Sequence, residues 1–437
     1  NVYRRYISLY PRTDRVHEFF VNAIALYEKA GFSEDVRREK KNYVAQFATD
    51  GNYWLSRTPA LQQRIALQLK TYLIQLARYH HGMAQQQIAK QTAVKQKHQN
   101  IKTPFANRLT AEQHYDYAGD YYLQYLTSFP NDDKAAQLHF LLAESRFESG
   151  RYLAAITHYE TVSYQFSDNK NAADAGYAAL LSYDQLIDQL TSDKTAPLAR
   201  SSKPATATGP LQSLQLQKID SQLRFSKQFA EDSRAVAVLS QAAESLLAIS
   251  DYPRAISAAE RLTLWPAPLA DNIVLDAWLV IGEASYNGAD YRYAESAYQQ
   301  AQQRLTSRDS RASTINERIA ASIYKQGELA LADGNRQLAS EQYLRVLTTA
   351  PQSAVRLNAQ YDAATQLLAL KQWQPAIELL KDFRQRFATH PLANGVAEKL
   401  LSAYQAQQQW HKAADEVMRL FAKQAEPIKQ AELLYYA

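Results

Sequence analysis

Four glutamates, Glu144, Glu244, Glu283 and Glu328, each stand directly after a small residue: Ala143, Ala243, Gly282 and Gly327. Aromatic residues fall close to this series, namely Phe140, Phe147, Tyr286, Tyr324 and Tyr361. Recurring carboxylates beside aromatic faces suit a basic, partly apolar peptide. A carboxylate takes the charge of a cationic group, and a ring takes its face or its alkyl stem. The candidate binding residues are therefore Phe140, Glu144, Glu244, Glu283, Tyr286, Tyr324, Glu328 and Tyr361. Glu is also a strong helix former at exposed positions, so the same series is open to a purely structural explanation.

Residues for covalent or metal chemistry do not assemble in the sequence. A glycine-rich phosphate loop, GxSxG and HExxH are all absent. Cysteine is absent too, which removes disulfides, thiolate metal sites and a thiol nucleophile. His80 and His81 are adjacent, so on a helix they point about 100° apart and do not share a metal. His80, His114, His139 and His158 sit within helical periods and are expected to pack. No catalytic, cofactor or metal residue is expected. An enzyme with an unrecognised site stays as a rival class, and a buried cluster of perturbed carboxylates and histidines would mark it.

The elements that must position the glutamates follow from a second pattern. A Gly or Ala precedes an Ala by twelve residues, with an aromatic three residues before that Ala. The instances are Ala143/Tyr152/Ala155, Ala243/Tyr252/Ala255, Gly282/Tyr291/Ala294 and Ala364/Trp373/Ala376; Gly327/Ala339 has Arg336 in the aromatic slot. The spacing predicts antiparallel helix pairs touching through small residues, and its recurrence predicts a stacked solenoid. Helices are expected over 133–149, 152–166, 170–190, 212–229, 233–249, 252–264, 270–287, 290–306, 311–333, 335–349, 353–371, 373–388, 392–408 and 410–422, with a last one from 425. Looser helices precede them up to residue 130, including a long amphipathic one from Pro59, and ATDGNYW is expected as a turn. Residues 191–211, rich in Ser, Thr, Ala and Pro, are expected to link 131–190 to the array at 212–437. The first residues read as the second helix of an incomplete repeat, which predicts a fragment of a longer chain.

The net charge of +5 is unevenly placed. From Gly51 to Ala111 there is no Asp or Glu but nine Lys or Arg, so the remainder of the chain carries −4. This segment is expected either to stay solvated or to meet an acidic partner. Nucleic acid is disfavoured, because denser Arg with interleaved aromatics is missing. No apolar stretch approaches the roughly 18–20 residues that span a bilayer.

These residues resemble the tetratricopeptide repeat. Residues 275–308 carry Trp278, Ile281, Gly282, Ala294, Tyr298 and Ala301 at the family's packing positions, and the next unit carries Gly327, Ala339, Tyr343 and Pro351. Successive turn alanines at 255, 294, 339, 376 and 413 lie 39, 45, 37 and 37 apart, longer than the usual repeat of about 34. YRRYISLYP, YYLQYLTSFP and ESGRYLAAITHYETVSYQF are similar to the long-helix repeats of periplasmic and outer-membrane-associated proteins of Gram-negative bacteria, such as BamD-like lipoproteins and CpoB/YbgF proteins. The resemblance implies an all-α, right-handed superhelical solenoid of antiparallel helix hairpins. It implies first helices lining a concave groove, a non-enzymatic protein- or peptide-binding scaffold, no cofactor, and a periplasmic or outer-membrane-associated location, with a cytoplasmic one as the alternative. A structural spacer without a groove ligand is the rival within the same architecture.

Overall fold

The computed structural model describes residues 2–96, 109–192, 209–306 and 308–423. Among these residues all regular structure is helical. They form two compact units that divide between Asp232 and Ser233. The first holds α1 (Val2–Leu9), α2 (Val16–Lys29), α3 (Ser33–Gln46), the single turn α4 (Asn52–Leu55), α5 (Pro59–Gln96), α6 (Ala111–Ser128), α7 (Ala135–Glu148), α8 (Tyr152–Gln165), α9 (Ala172–Ser192) and α10 (Pro210–Gln228). The second holds α11 (Ala235–Ala248), α12 (Tyr252–Thr263), α13 (Asp271–Asn287), α14 (Tyr291–Gln302), α15 (Ala312–Ala332), α16 (Arg336–Thr349), α17 (Val355–Ala369), α18 (Trp373–Arg386), α19 (Val396–Ala406) and α20 (Trp410–Lys423).

Each unit is an all-α array of antiparallel hairpins, in which a helix packs on its chain neighbours and, in the second unit, on the corresponding helix of the next hairpin. Two local expectations change. The segment expected as a turn at ATDGNYW winds into α4, and the stretch expected as the start of a helix at 392 is a 3-10 turn, Pro391–Gly395, ahead of α19. Most of the expected linker at 191–211 and the helix expected from 425 lie outside the described residues. α9 and α10, which flank residues 193–208, pack against each other within the first unit.

The small residues are buried as the pattern requires: Ala143, Ala155, Ala255, Ala294, Ala339, Ala364 and Ala376 are all inaccessible. What fills the space above them is a ring from the partner helix. A Cβ on Gly282 would stand 2.7 Å from the Tyr298 ring, and one on Gly327 would stand 2.5 Å from that of Tyr343. Tyr298 and Tyr343 are themselves buried. In both hairpins the tyrosine lies sixteen residues beyond the glycine, and Ala143 and Tyr159 repeat that offset.

The hairpin turns share one geometry. Seven residues after the small position comes a residue in the left-handed region: Gly150, Ser250, Ala289, Gly334 or Lys371, with Gln408 closing α19 alike. The N–H of the following residue then reaches back to a carbonyl in the last helical turn, as in Arg151 to Arg146 at 2.8 Å and Asn335 to Ala330 at 2.8 Å, which is how a left-handed closing residue satisfies orphan carbonyls. The next helix starts on a polar cap, with Asp251, Asp290 and Asn335 accepting N–H bonds from Arg254, Tyr293 and Leu338.

Gly282→Leu or Ala294→Leu should lower the stability of the second unit by about 1–3 kcal/mol or more, because the crossing has no room for added methylenes. Gly82→Ala, in α5 with nothing within 4 Å of the new Cβ, should instead raise helix stability by roughly 0.5–1 kcal/mol. Urea unfolding of the three variants checks both signs. Melting of the Gly282 and Ala294 variants like the parent would show that this register of the hairpins is wrong.

Candidate functional site

The glutamates that follow the small residues stand in four different settings. In α13, Glu283 accepts a hydrogen bond from the Tyr298 hydroxyl at 2.9 Å and pairs with Arg318 of α15 at 3.1 Å. The Arg318 guanidinium also lies over the Tyr286 ring, 5.8 Å from its centroid. In α15, Glu328 pairs with Lys325 one turn earlier, at 2.6 Å. Near it Tyr324 donates to Asp362 at 2.7 Å, and Lys399 lies 5.1 Å from the centroid of the Tyr361 ring. Burial, opposed by the Tyr324 hydrogen bond and reinforced by Glu328, leaves the Asp362 carboxyl above its ordinary range. Glu244, in α11, is exposed.

Glu144 is different again. It lines a cavity of about 290 Å3 in the first unit, together with His81 and Gln85 of α5, Tyr115 of α6, Phe147 and Glu148 of α7, Tyr159 of α8, and Ala178 and Leu181 of α9. Neither Glu144 nor Glu148 has an ion-pair partner among the described residues. The nearest guanidiniums in the sequence are spent elsewhere: Arg146 pairs with Asp120 at 2.6 Å, and Arg151 with Asp116 at 2.8 Å. Burial, followed by the negative charge of Glu148, pushes the Glu144 carboxyl above the usual range. Burial and then the two carboxylates push the Tyr115 and Tyr159 hydroxyls up, so both stay neutral.

The aromatic walls are held from behind. Phe140 meets Tyr159 edge-on at 5.8 Å, Tyr152 meets Phe147 at 5.4 Å, and His81 meets Tyr115 at 5.3 Å. Ser145 is fully buried and donates its hydroxyl hydrogen to the Leu141 carbonyl at 2.8 Å. Its oxygen lies 3.4 Å from His81 Nδ1, so the imidazole is the donor in that contact and Nε2 keeps the free lone pair. Burial lowers the pKa of His81, which keeps the ring uncharged at neutral pH.

Of the residues expected from the sequence, Glu144 and Phe140 gather at or behind this cavity, Glu283 with Tyr286 and Glu328 with Tyr324 and Tyr361 gather around internal cations, and Glu244 stands apart. Glu148, His81, Tyr115 and Tyr159 were missed. One signal was available: Glu148 repeats the charge of Glu144 at i+4 on one helix, an arrangement that costs stability unless a cation answers it. The histidines do pack, and they do so in pairs that spacing does not reveal. His80 Nδ1 lies 2.9 Å from His114 Nδ1, and His139 Nδ1 lies 3.1 Å from His158 Nδ1.

The basic segment is partly neutralised from within. Arg57 pairs with Asp14 at 2.6 Å and Lys70 with Asp132 at 2.5 Å. Arg64, Arg78 and Lys90 are exposed, while Lys97, Lys102 and Arg108 lie outside the described residues.

No protein-family model matches the chain, and no curated protein matches it. It is similar to solved tetratricopeptide-repeat structures. One is the TPR2AB domain of yeast Sti1 in complex with pHSP90, 15% identical over 75% of this chain and 99% of that one, with a TM-score of 0.27. Another is the C-terminal part of a repeat protein from Cytophaga hutchinsonii, 14% identical over 64% and 94%, with a TM-score of 0.30. A third is the TPR domain of P58(IPK), 13% identical over 82% and 98%, with a TM-score of 0.23. Among the described residues, the closest approaches of a ring to a glycine are the Gly282–Tyr298 and Gly327–Tyr343 crossings.

Two outcomes follow from these settings. Glu283→Ala strands the buried Tyr298 hydroxyl and should cost about 1–3 kcal/mol, whereas Glu244→Ala should stay within about 0.5 kcal/mol of the parent; equal unfolding midpoints would contradict the pairing. Burial, then its neighbours His114, Lys41 and Arg37, pushes His80 down to about 4, and burial, then His139 and Arg146, does the same to His158. The unfolded chain takes up these protons near pH ~6.5, earlier than the folded one, so stability present at neutral pH is lost as the pH falls from about 6.5 towards about 4. Thermal melts at pH 7.5 and 5.0 should therefore show a drop that is smaller in the His80→Phe/His158→Phe variant; an undiminished drop would place the acid sensitivity elsewhere.

Proposed function

We propose that this chain is a non-enzymatic scaffold that binds another protein or a peptide. The observation that carries it is where the polar chemistry goes. Hairpin after hairpin spends its charged and amide groups on its neighbour: Arg311 on Asp276 at 2.8 Å, Ser353 on Glu317 at 2.7 Å, Arg345 on Glu295 at 2.5 Å, Arg336 on Gln366 at 2.7 Å and Arg384 on Glu416 at 2.7 Å. Such cross-ties make a pre-organised frame, and a frame that needs no ordering on binding loses less entropy to a partner. Glu144 and Glu244, which have no ion-pair partner among the described residues, support a basic peptide as the partner. The exposed Arg64, Arg78 and Lys90 support a separate contact with an acidic surface.

Two alternatives have observations behind them. The pairing of Glu283 with Arg318 and of Glu328 with Lys325 favours a spacer role for the second unit. The cavity at Glu144 brings a histidine and carboxylates together, as an enzyme would require, but Ser145 beside His81 is fully buried and already donates to Leu141. It is therefore closed to a substrate as a nucleophile. The cell-envelope location, and a kinship with BamD-like or CpoB/YbgF proteins in particular, rest on the phrases of the sequence alone.

A display library of random dodecapeptides tests the scaffold. Bound sequences should be enriched in Lys and Arg, and their affinity should weaken on Glu144→Gln and Glu244→Gln and with rising salt. Failure to enrich any peptide would favour the spacer, and enrichment of acidic peptides would shift the site to the basic segment.

A further inference from the structure

We propose that the cavity between α5, α6, α7, α8 and α9 is a receptor for a single arginine-like side chain. This deepens the scaffold function and rests on it for the source of that side chain. The chain itself contains the template. In α13 the register runs Gly282, Glu283 and Tyr286, with Tyr298 sixteen residues after the glycine; in α7 it runs Ala143, Glu144 and Phe147, with Tyr159 sixteen after the alanine. In the first case a guanidinium, that of Arg318, sits on the carboxylate at 3.1 Å and over the ring at 5.8 Å. In the second the carboxylate and the ring are present, and the helix that follows the hairpin, α9, offers Ala178 and Leu181 to the same space. Among the described residues no cation lines this space in the way that Arg318 meets Glu283.

The walls fit such a guest. Glu144 and Glu148 supply two carboxylates, and no cation lines the cavity among the described residues. His81 lines it as a neutral imidazole with a lone pair on Nε2, an acceptor for an N–H. Phe147, Tyr115 and Tyr159 supply ring faces, and a guanidinium over an aromatic face gains further attraction when it is partly desolvated. Ala178 and Leu181 meet the alkyl stem. The volume of about 290 Å3 lies at the lower limit of ligand pockets, roughly 300–1,000 Å3. It suits one long side chain, with the rest of a peptide running outside. A guanidinium is also the group whose planar fork matches a carboxylate in two bonds.

The test uses the whole chain with isotope-labelled Ala and Leu methyl groups, read by NMR at Ala178 and Leu181. The probes are N-acetyl-arginine N-methylamide, its uncharged citrulline counterpart, and n-butylguanidinium. The two guanidinium probes should shift both methyls saturably, with citrulline weaker by about tenfold or more. Glu144→Gln/Glu148→Gln, an isosteric change that leaves the packing alone, should weaken them to a similar degree. Glu231→Gln, at an exposed carboxylate outside the cavity lining, should leave binding unchanged. Tighter binding of the arginine derivative than of butylguanidinium assigns the guest to a peptide; equal binding assigns it to a free guanidinium metabolite and leaves the cation site standing. Equal affinity for citrulline, or an unaltered double variant, would overturn the proposal. A basic peptide that binds the chain without moving Ala178 or Leu181 would sink the cavity and spare the scaffold. Saturation by the arginine derivative with no peptide enriched from the library would do the reverse.

Discussion

Everything in this protein depends on a ring entering the space left by a missing side chain. At Gly282 and Gly327 the closest approach of Tyr298 and Tyr343 is shorter than any Cβ would tolerate. The helix axes of a hairpin are thereby drawn together, and the tyrosine hydroxyl is carried to a fixed height on the opposing helix. In the hairpin of α13 and α14 that height is where Glu283 waits. Packing thus dictates where the polar groups fall. The row of carboxylates is a by-product of a crossing that needs a small residue, followed by whatever residue the next position carries.

That ordering explains why equivalent positions serve different ends. Given the same backbone register, a cation on the following helix turns the carboxylate into a cross-tie, a lysine one turn back on the same helix turns it into a local pair, and an alanine and a leucine leave it facing a cavity. A carboxylate that is half-buried without a partner has a raised pKa and costs stability, whereas a partner offsets part of that desolvation. Burial and the charge of Glu148 both act against the ionised form of Glu144, so a cation brought from outside the chain would relieve both, as proposed above.

The architecture was legible because its signal is local and repeated. The Gly282/Tyr291/Ala294 spacing recurs often enough that the helix pairs, their turns and the buried alanines could be located within a few residues. The short α4 and the 3-10 start before α19 were missed because one turn of helix leaves no periodic trace. The cavity was legible only in part. Glu144 belonged to a visible series, but His81, Tyr115, Tyr159 and Leu181 come from helices separated by up to a hundred positions, and only tertiary packing brings them to one wall. The histidine pairs were hidden for the same reason: nothing in the sequence relates residue 80 to 114.

The turns carry a consequence for how the array assembles. The left-handed residue that closes a helix at these turns is glycine at 31, 150 and 334, but serine at 250, alanine at 289, lysine at 371 and glutamine at 408. A residue with a Cβ is strained in that region by roughly 1–2 kcal/mol, and it accepts the strain only once the helices on either side have docked. The turns at 31, 150 and 334 carry no such strain. Two of them lie in the first compact unit and one in the second. The strained turns at 250, 289, 371 and 408 all lie in the second unit, whose hairpins therefore lean most on helix packing to hold their turns.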